Sequence, residues 1–188
     1  MKKLYLIFAS SLLLGACNST SSDPVEKADS TNEAKQEQPP VKSKTLENTS
    51  NFLVKAADGG MAEVDAGKLG EQKAMNKEVK SYAAMMVKDH GAANDEVKAL
   101  ASKLNITLPT GTSEDNSKNV TALSEKKPKD FDKDFMDKMI DDHKKTIDLF
   151  KDASDDDIDT DVKTFIDNTI PKLQAHLDSA EAIKKTLK

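Results

Sequence analysis

Four residues whose side chains can bind metal ions or transfer protons each lie on the apolar face of a predicted helix. Each of the three histidines interrupts an apolar stripe with helical spacing, and a glutamate holds the same place in the remaining long helical stretch. The four are Glu63, His90, His143 and His176. A buried carboxylate with three imidazoles is a suitable ligand set for copper, zinc or iron. Without a metal, the same four groups can form a hydrogen-bonded polar network.

The apolar stripes give the direction in which each histidine points. Residues three and four apart share one face of a helix, so a histidine inside the stripe faces whatever that helix packs against. Asp89 and Asp142 directly precede two of the histidines, are turned about 100° away from them, and are predicted to lie on the flanks of their helices. A hydrogen bond that either carboxylate accepts from a histidine of a neighbouring helix is the alternative. The stripe residues nearest to the histidines are Met86, Ala93, Met139, Ile147, Leu173 and Ala180.

Two methionines lie one helical turn before two of the histidines. Met86 precedes His90 by four residues, and Met139 precedes His143 by four. Thioethers beside imidazoles favour copper, particularly the reduced ion, so both methionines are candidate soft ligands. Methionine more often fills gaps in an apolar core, and core packing is therefore the primary prediction for both.

Four long helices are predicted to carry these residues, at about 50–74, 77–104, 130–153 and 157–187. The first and third connections are only a few residues long, which makes the helices they join antiparallel. The middle connection, about 106–129, can extend to roughly 80 Å and cross the full length of the helices. This pattern predicts an all-α protein, with residues 48–188 forming a ferritin-like antiparallel four-helix bundle with one long crossover connection.

Segments around the same residues resemble a known family. They are Met-Ala-Glu-Val at 61–64, Met-Met-Val-Lys-Asp-His at 85–90, the stretch 131–143, and Pro-Lys-Leu-Gln-Ala-His at 171–176. These segments resemble domain-of-unknown-function family 4142, a family of exported bacterial proteins that are grouped with the ferritin-like folds and often described as outer-membrane proteins. The resemblance implies the fold and a location in the cell envelope, and it implies no activity.

Oxygen-activating di-iron chemistry is not expected from these residues. Ferritin-like di-iron sites use a glutamate on each of two helices and Glu-x-x-His on each of the other two. Here Val87 and Leu173 stand three residues before His90 and His176, where those motifs have glutamate, and His143 replaces a third carboxylate. No catalytic residue is therefore assigned, and the protein is more readily interpreted as a binding protein than as an enzyme.

The first residues predict export and lipid attachment. Lys2 and Lys3 precede the apolar segment 4–14, a pattern typical of a secretory signal peptide and too short to span a membrane. Leu-Gly-Ala-Cys at 14–17 resembles a bacterial lipobox, in which the cysteine carries the lipid. Cys17 is the single cysteine of the chain, so no internal disulfide bond can form. We therefore predict a signal peptide at 1–17 and a lipid-anchored envelope protein, with the following asparagine typical of sorting to the outer membrane, facing the periplasm.

The segment that follows, 18–47, is predicted to be a disordered tether. From residue 18 to about 44 its only large aliphatic residues are Val25 and Val41. Such a composition buries too little apolar surface to offset the entropy lost on ordering. The tether would hold the folded domain away from the lipid bilayer.

The basic residues of this chain argue against nucleic acid as a partner. All 28 basic residues are lysines, and the formal net charge is -5. Without arginine the protein lacks the planar fork that binds phosphates and guanine through two hydrogen bonds. The sequence thus predicts an envelope lipoprotein that binds a transition metal through the Glu/His cluster, or a structural or protein-interaction domain whose polar core is free of metal.

Overall fold

The computed structural model describes residues 23–37 and 43–187. Within these ranges the chain is helical and contains no strand, which confirms the all-α prediction. The predicted signal peptide and Cys17 lie outside the described residues. None of the described helices combines the length and the apolar character needed to span a bilayer. The helices are α1 (Pro24–Gln36), α2 (Lys44–Lys73), α3 (Lys77–Lys103), α4 (Glu114–Ser124), α5 (Pro128–Asp155) and α6 (Thr160–Thr186).

Local signals place the ends of α3 where the sequence predicts them. The Asn76 side chain accepts hydrogen bonds from the backbone N–H groups of Glu78 and Val79, at 2.7 and 3.3 Å, and so caps the first turn. At the other end Asn105 takes the left-handed conformation, with φ 55°. The preceding helix, α2, begins at Lys44, several residues earlier than the predicted start.

Contacts between side chains show that α5 runs opposite to α2. Near the start of α2 the Phe52 ring packs on Phe150, close to the end of α5, with ring centroids 5.0 Å apart. Near the end of α2, Gly70 lies against the ring of Phe135, close to the start of α5. The short turn between α2 and α3 also makes those two helices antiparallel, with Gly60 of α2 facing Asn94 of α3. Because α3 and α5 both run opposite to α2, they are parallel to each other.

The last long helix, α6, runs opposite to both α3 and α5. Thr186 donates a hydrogen bond to Glu78 at one end of α3, and Lys103 pairs with Asp161 at its other end. The connection from α3 to α5 must therefore return the chain along the length of the helices. This connection passes beside α2, where the Asp58 carboxylate accepts a hydrogen bond from the backbone N–H of Ser113 at 2.7 Å.

The tether prediction was wrong for part of its length, because Pro24–Gln36 forms α1. Asp23 caps this helix, and the side chain of Asn32 is 4% exposed. Asn32 donates to the Thr107 carbonyl at 2.8 Å and accepts from the Thr107 N–H at 2.7 Å. The helix is thus held by hydrogen bonds to the backbone of the connection, with Ala28 as its only buried hydrophobic residue. A prediction based on apolar content misses such a helix because its contacts are mainly polar.

Candidate metal centre

The structure brings the three predicted histidines together inside the core. His90 lies on α3, His143 on α5 and His176 on α6, with exposed fractions of 7%, 1% and 6%. One ring nitrogen from each lies within 4.8 Å of the other two. The helices α3, α5 and α6 therefore each place one imidazole at a common point.

The tautomer of His143 follows from its hydrogen bond to the backbone. Its Nδ1 lies 2.8 Å from the carbonyl oxygen of Met139. A carbonyl oxygen only accepts, so Nδ1 carries the proton and donates. The opposite nitrogen, Nε2, then presents a lone pair toward His176.

His176 is oriented in the same manner by a carboxylate. Its Nε2 lies 3.2 Å from Oδ2 of Asp89, to which it donates a hydrogen bond. Its Nδ1 is then an unprotonated nitrogen, 3.4 Å from Nε2 of His143. Two lone pairs that face each other repel, and a cation between them removes the repulsion. The third histidine adds a similar group, because Nε2 of His90 is buried with no hydrogen-bond partner among the described residues.

The distance between these nitrogens matches that of two ligands on one metal ion. With metal–nitrogen bonds of about 2.05 Å and tetrahedral angles, two ligand nitrogens lie about 3.3 Å apart. The Nε2 of His143 and the Nδ1 of His176 are 3.4 Å apart. The nitrogen of His90 needs only a small movement of its side chain to join them, since all three lie within 4.8 Å.

The fourth predicted ligand, Glu63, lies on the other side of the His143 ring. Its Oε1 is 3.8 Å from Nδ1 of His143, and its side chain is 5% exposed. Its Oε2 is buried and has no hydrogen-bond partner among the residues described. Glu63 therefore adjoins the cluster through His143, outside the group of three nitrogens that lie within 4.8 Å of one another.

Burial keeps this carboxyl group protonated in the absence of a metal. Burial, the largest cause, and the nearby Asp142 carboxylate raise the pKa of Glu63 to about 8, and Lys138 acts in the opposite direction. At neutral pH Glu63 is therefore mostly uncharged. A cation bound nearby would favour the ionised form and lower this pKa.

Burial also keeps the three imidazoles uncharged. It lowers the pKa of His90 to about 3 and that of His143 to about 4. For His176 burial again lowers the pKa, with the hydrogen bond to Asp89 opposing it. All three nitrogens that face one another are therefore available as ligands at pH 7.

These shifts predict how the metal-free protein responds to alkali. The folded-state pKa of Glu63, about 8, lies above its ordinary value of 4.5, so its contribution to stability is present at low pH and is lost as pH rises through 8. We expect the free energy of unfolding in chelator to fall by roughly 1 kcal/mol between pH 7 and pH 9. The histidine shifts have the opposite sign and reduce stability only as pH falls below about 6.5.

The matched control for this titration is Glu63→Gln, which keeps the shape of the side chain and removes its titration. In this variant the free energy of unfolding, measured with urea at several pH values, should stay constant between pH 7 and pH 9. An equal decline in wild type and variant would show that another group causes it.

Both methionines occupy the apolar core. Met86 and Met139 are fully buried and belong to the main hydrophobic cluster, as the primary prediction requires. Because α3 and α5 are parallel, the two lie toward the same end of the histidine layer. Copper ligation by their sulfur atoms stays a prediction.

For Asp89 the structure shows the alternative that the sequence pattern favoured less. Asp89 was predicted on the flank of its helix, and the structure shows it bonded to His176 across the α3–α6 interface. Asp142 does lie on the flank, where it pairs with Lys138 at 2.7 Å. Both aspartates precede a histidine, so the sequence does not distinguish them. The difference arises from contacts between helices: Asp89 lies next to His176 of α6, whereas Asp142 pairs with Lys138 of its own helix.

A cavity of about 400 Å³ adjoins the histidines. His90, His176 and Glu63 contribute to its lining, together with apolar side chains from all four long helices. Two of the three histidines, His90 and His176, therefore border the cavity.

A comparison with known proteins identifies the family. A family model described as Domain of unknown function (DUF4142) matches residues 31–183. No curated protein and no solved structure matches the chain. The matched region begins inside α1, so it includes part of the helix that docks on the connection as well as the three histidines. The chain belongs to the family of the domain of unknown function DUF4142.

Proposed function

We propose that this protein binds one transition-metal ion, copper, zinc or iron, through His90, His143 and His176. The observation that carries the proposal is the pair of facing nitrogens, His143 Nε2 and His176 Nδ1, each forced into the unprotonated form by the hydrogen bond on the far side of its ring. A metal ion accepts both lone pairs and satisfies the otherwise unpartnered nitrogen of His90. The test is a metal titration of chelator-stripped protein followed by thermal melting.

The surroundings of the histidines favour a metal site over a metal-free polar network. A self-sufficient network would pair its buried polar atoms, since an unpaired one costs about 1 to 3 kcal/mol. Here Oε2 of Glu63 and Nε2 of His90 both lack partners among the described residues. In metal sites the outer ring nitrogen of a ligand histidine commonly donates to a carbonyl or a carboxylate. Met139 and Asp89 provide these two acceptors.

Glu63 supplies negative charge when the metal is present. Three neutral imidazoles leave the charge of the ion uncompensated, and a buried charge needs an opposite charge nearby. The ionised Glu63 carboxylate, beside His143, provides it and remains a candidate fourth ligand after rotation of its side chain. Met86 or Met139 as a further ligand would favour reduced copper over zinc.

The long helices are proposed to form a ferritin-like four-helix bundle with one long crossover connection. The proposal is supported by the parallel directions of α3 and α5, which require the connection to span the length of the helices. In such bundles ligands project inward from facing helices. The placement of the three histidines agrees with this rule.

The protein is further proposed to be a lipid-anchored protein of the cell envelope, on the outer membrane and facing the periplasm. The lipobox at 14–17 supports this proposal, and Cys17 is the only cysteine. The folded domain carries no arginine for nucleic-acid recognition. Membrane contact is proposed to occur through the lipid, and nucleic acid is not proposed as a partner.

Replacing the lipidated residue tests the anchor. We expect Cys17→Ser to move the protein from the membrane fraction to the soluble fraction, because the acyl chains supply the membrane affinity. Fractionation after a high-salt wash, followed by immunoblotting, measures this. Ser21→Ala, in the same segment, is the control and should stay with the membrane. If Cys17→Ser also stays there, another part of the chain is the anchor.

A further inference from the structure

We propose that the cavity beside the histidines binds a small molecule with an apolar body and one anionic donor group, which completes the coordination of the metal. The inference rests on the proposed metal site and adds to it a class of ligand. With Glu63 in the position that the structure shows, beside Nδ1 of His143, the three histidines leave one position open on a tetrahedral metal ion. His90 and His176 both belong to the cavity lining, so an open position can face the cavity.

The walls of the cavity determine the body of the ligand. A volume of about 400 Å³ falls in the range of small-molecule sites. Polar lining residues include His90, His176 and Glu63, and much of the remaining lining is apolar. The apolar residues include Ala93, Val97, Leu149, Phe150, Phe165 and Leu173. Such a site binds an aliphatic or aromatic body and fixes its direction through a polar group at one end.

The charges around the site determine the donor group. The histidines are neutral and the ionised Glu63 offsets one unit of charge, so a bound dication keeps one unit of positive charge that an anionic donor offsets. Asp89, which contacts a histidine of the cavity lining, is already engaged by His176. The other charged lining residues, Lys55, Lys172 and Glu96, are exposed, and two of the three are positive. A monocarboxylate with an alkyl or aryl body fits this arrangement.

Gly59 keeps part of this space open. It lies within α2 and lines the cavity, and among the described residues no heavy atom lies within 4 Å of a Cβ built there. None of the described glycines has a positive φ, so neither backbone conformation nor packing requires glycine at this position. Glycine within a helix is unfavourable relative to alanine. The presence of glycine at position 59 is explained by the space that it leaves for a ligand.

The experiment measures binding of acetate, butyrate and hexanoate to the Co²⁺-loaded full-length chain carrying Cys17→Ser, by calorimetry and by the visible spectrum of the cobalt. We expect affinity to rise about fourfold for each buried methylene, and so on the order of 200-fold from acetate to hexanoate. Hexanoate should shift the cobalt bands. Chelator-stripped protein and the neutral probe 1-hexanol should each show at least tenfold weaker binding.

Two substitutions of the same kind locate the ligand. Gly59→Leu places a side chain in the cavity and should weaken hexanoate binding at least tenfold with unchanged Co²⁺ affinity. Gly91→Leu, on α3 and also free of close neighbours among the described residues, lies outside the cavity lining and should leave both affinities unchanged. Ala93→Leu is a second filling variant in case the first does not fold.

The outcomes separate the two proposals. If Co²⁺ does not bind, the ligand site is overturned, and if copper, zinc and iron do not bind either, the metal site is overturned with it. If Co²⁺ binds but hexanoate binds no tighter than acetate, or if Gly59→Leu and Ala93→Leu bind hexanoate as wild type does, only the ligand site is overturned.

Discussion

His143→Ala is expected to weaken transition-metal binding by at least about 100-fold in a protein that still folds. Loss of an outer hydrogen bond to a ligand typically costs 10- to 100-fold in metal affinity, and loss of the ligand itself should cost more. His143 is the central ligand, because its Nε2 faces His176 and its ring also contacts Glu63. Its removal leaves only two imidazoles and an empty volume.

Competition with a chromogenic chelator measures this affinity for zinc and for reduced copper. Met139→Leu is the control, since it preserves the volume of the core one turn away and should leave zinc affinity unchanged. Added imidazole should restore part of the metal binding of His143→Ala by occupying the vacated space. An unchanged zinc affinity in the alanine variant would show that metal binds elsewhere.

Two identical substitutions in α2 are expected to have opposite effects on stability. Gly70→Ala places a Cβ 2.7 Å from the Cβ of Ala83 and 2.9 Å from the ring of Phe135. Such overpacking costs about 1 to 3 kcal/mol. Gly59→Ala meets open space among the described residues and should gain up to about 1 kcal/mol from its helix propensity. Both variants lie in α2 and share the gain in helix propensity, so their free energies of unfolding should differ by the overpacking cost, about 1 to 3 kcal/mol.

Chemical denaturation provides this measurement, and Gly60→Ala provides an intermediate case. The Cβ at residue 60 would meet the side-chain oxygen of Asn94, which can rotate away. Combining Gly70→Ala with Phe135→Leu should recover part of the loss, as expected for residues in contact. Equal stability of the Gly59 and Gly70 variants would contradict the close packing of α2 against α3 and α5.

Local signals explain how much of this fold is predictable from the sequence. The cap at Asn76 and the left-handed residue Asn105 need only their neighbours in the chain, and both occur as predicted. Helical spacing likewise turns His90, His143 and His176 inward. Each lies near the middle of its helix, so the three share one layer. The periodicity of single helices therefore predicts most of the candidate site.

Contacts between separate elements explain what the sequence leaves open. Asp89 reaches His176 across the contact between α3 and α6, which neither helix encodes alone. Glu63 lies next to the histidines, but the side of the His143 ring that it meets depends on side-chain orientation. Helix α1 was missed because Asn32 holds it through hydrogen bonds to a backbone far away in sequence.

Thermal melting of chelator-stripped protein during titration with copper, zinc and iron tests the metal site most directly. A metal at a hundredfold excess over its dissociation constant adds about 2.7 kcal/mol to the stability of the folded state. For a domain of this size the melting temperature should rise by several degrees, with saturation at one equivalent of metal when the protein concentration is well above the dissociation constant. The same titration of the His90→Ala, His143→Ala and His176→Ala variants should give no such rise. A melting temperature of the wild-type protein that does not change with any of the three metals would contradict the proposed metal site.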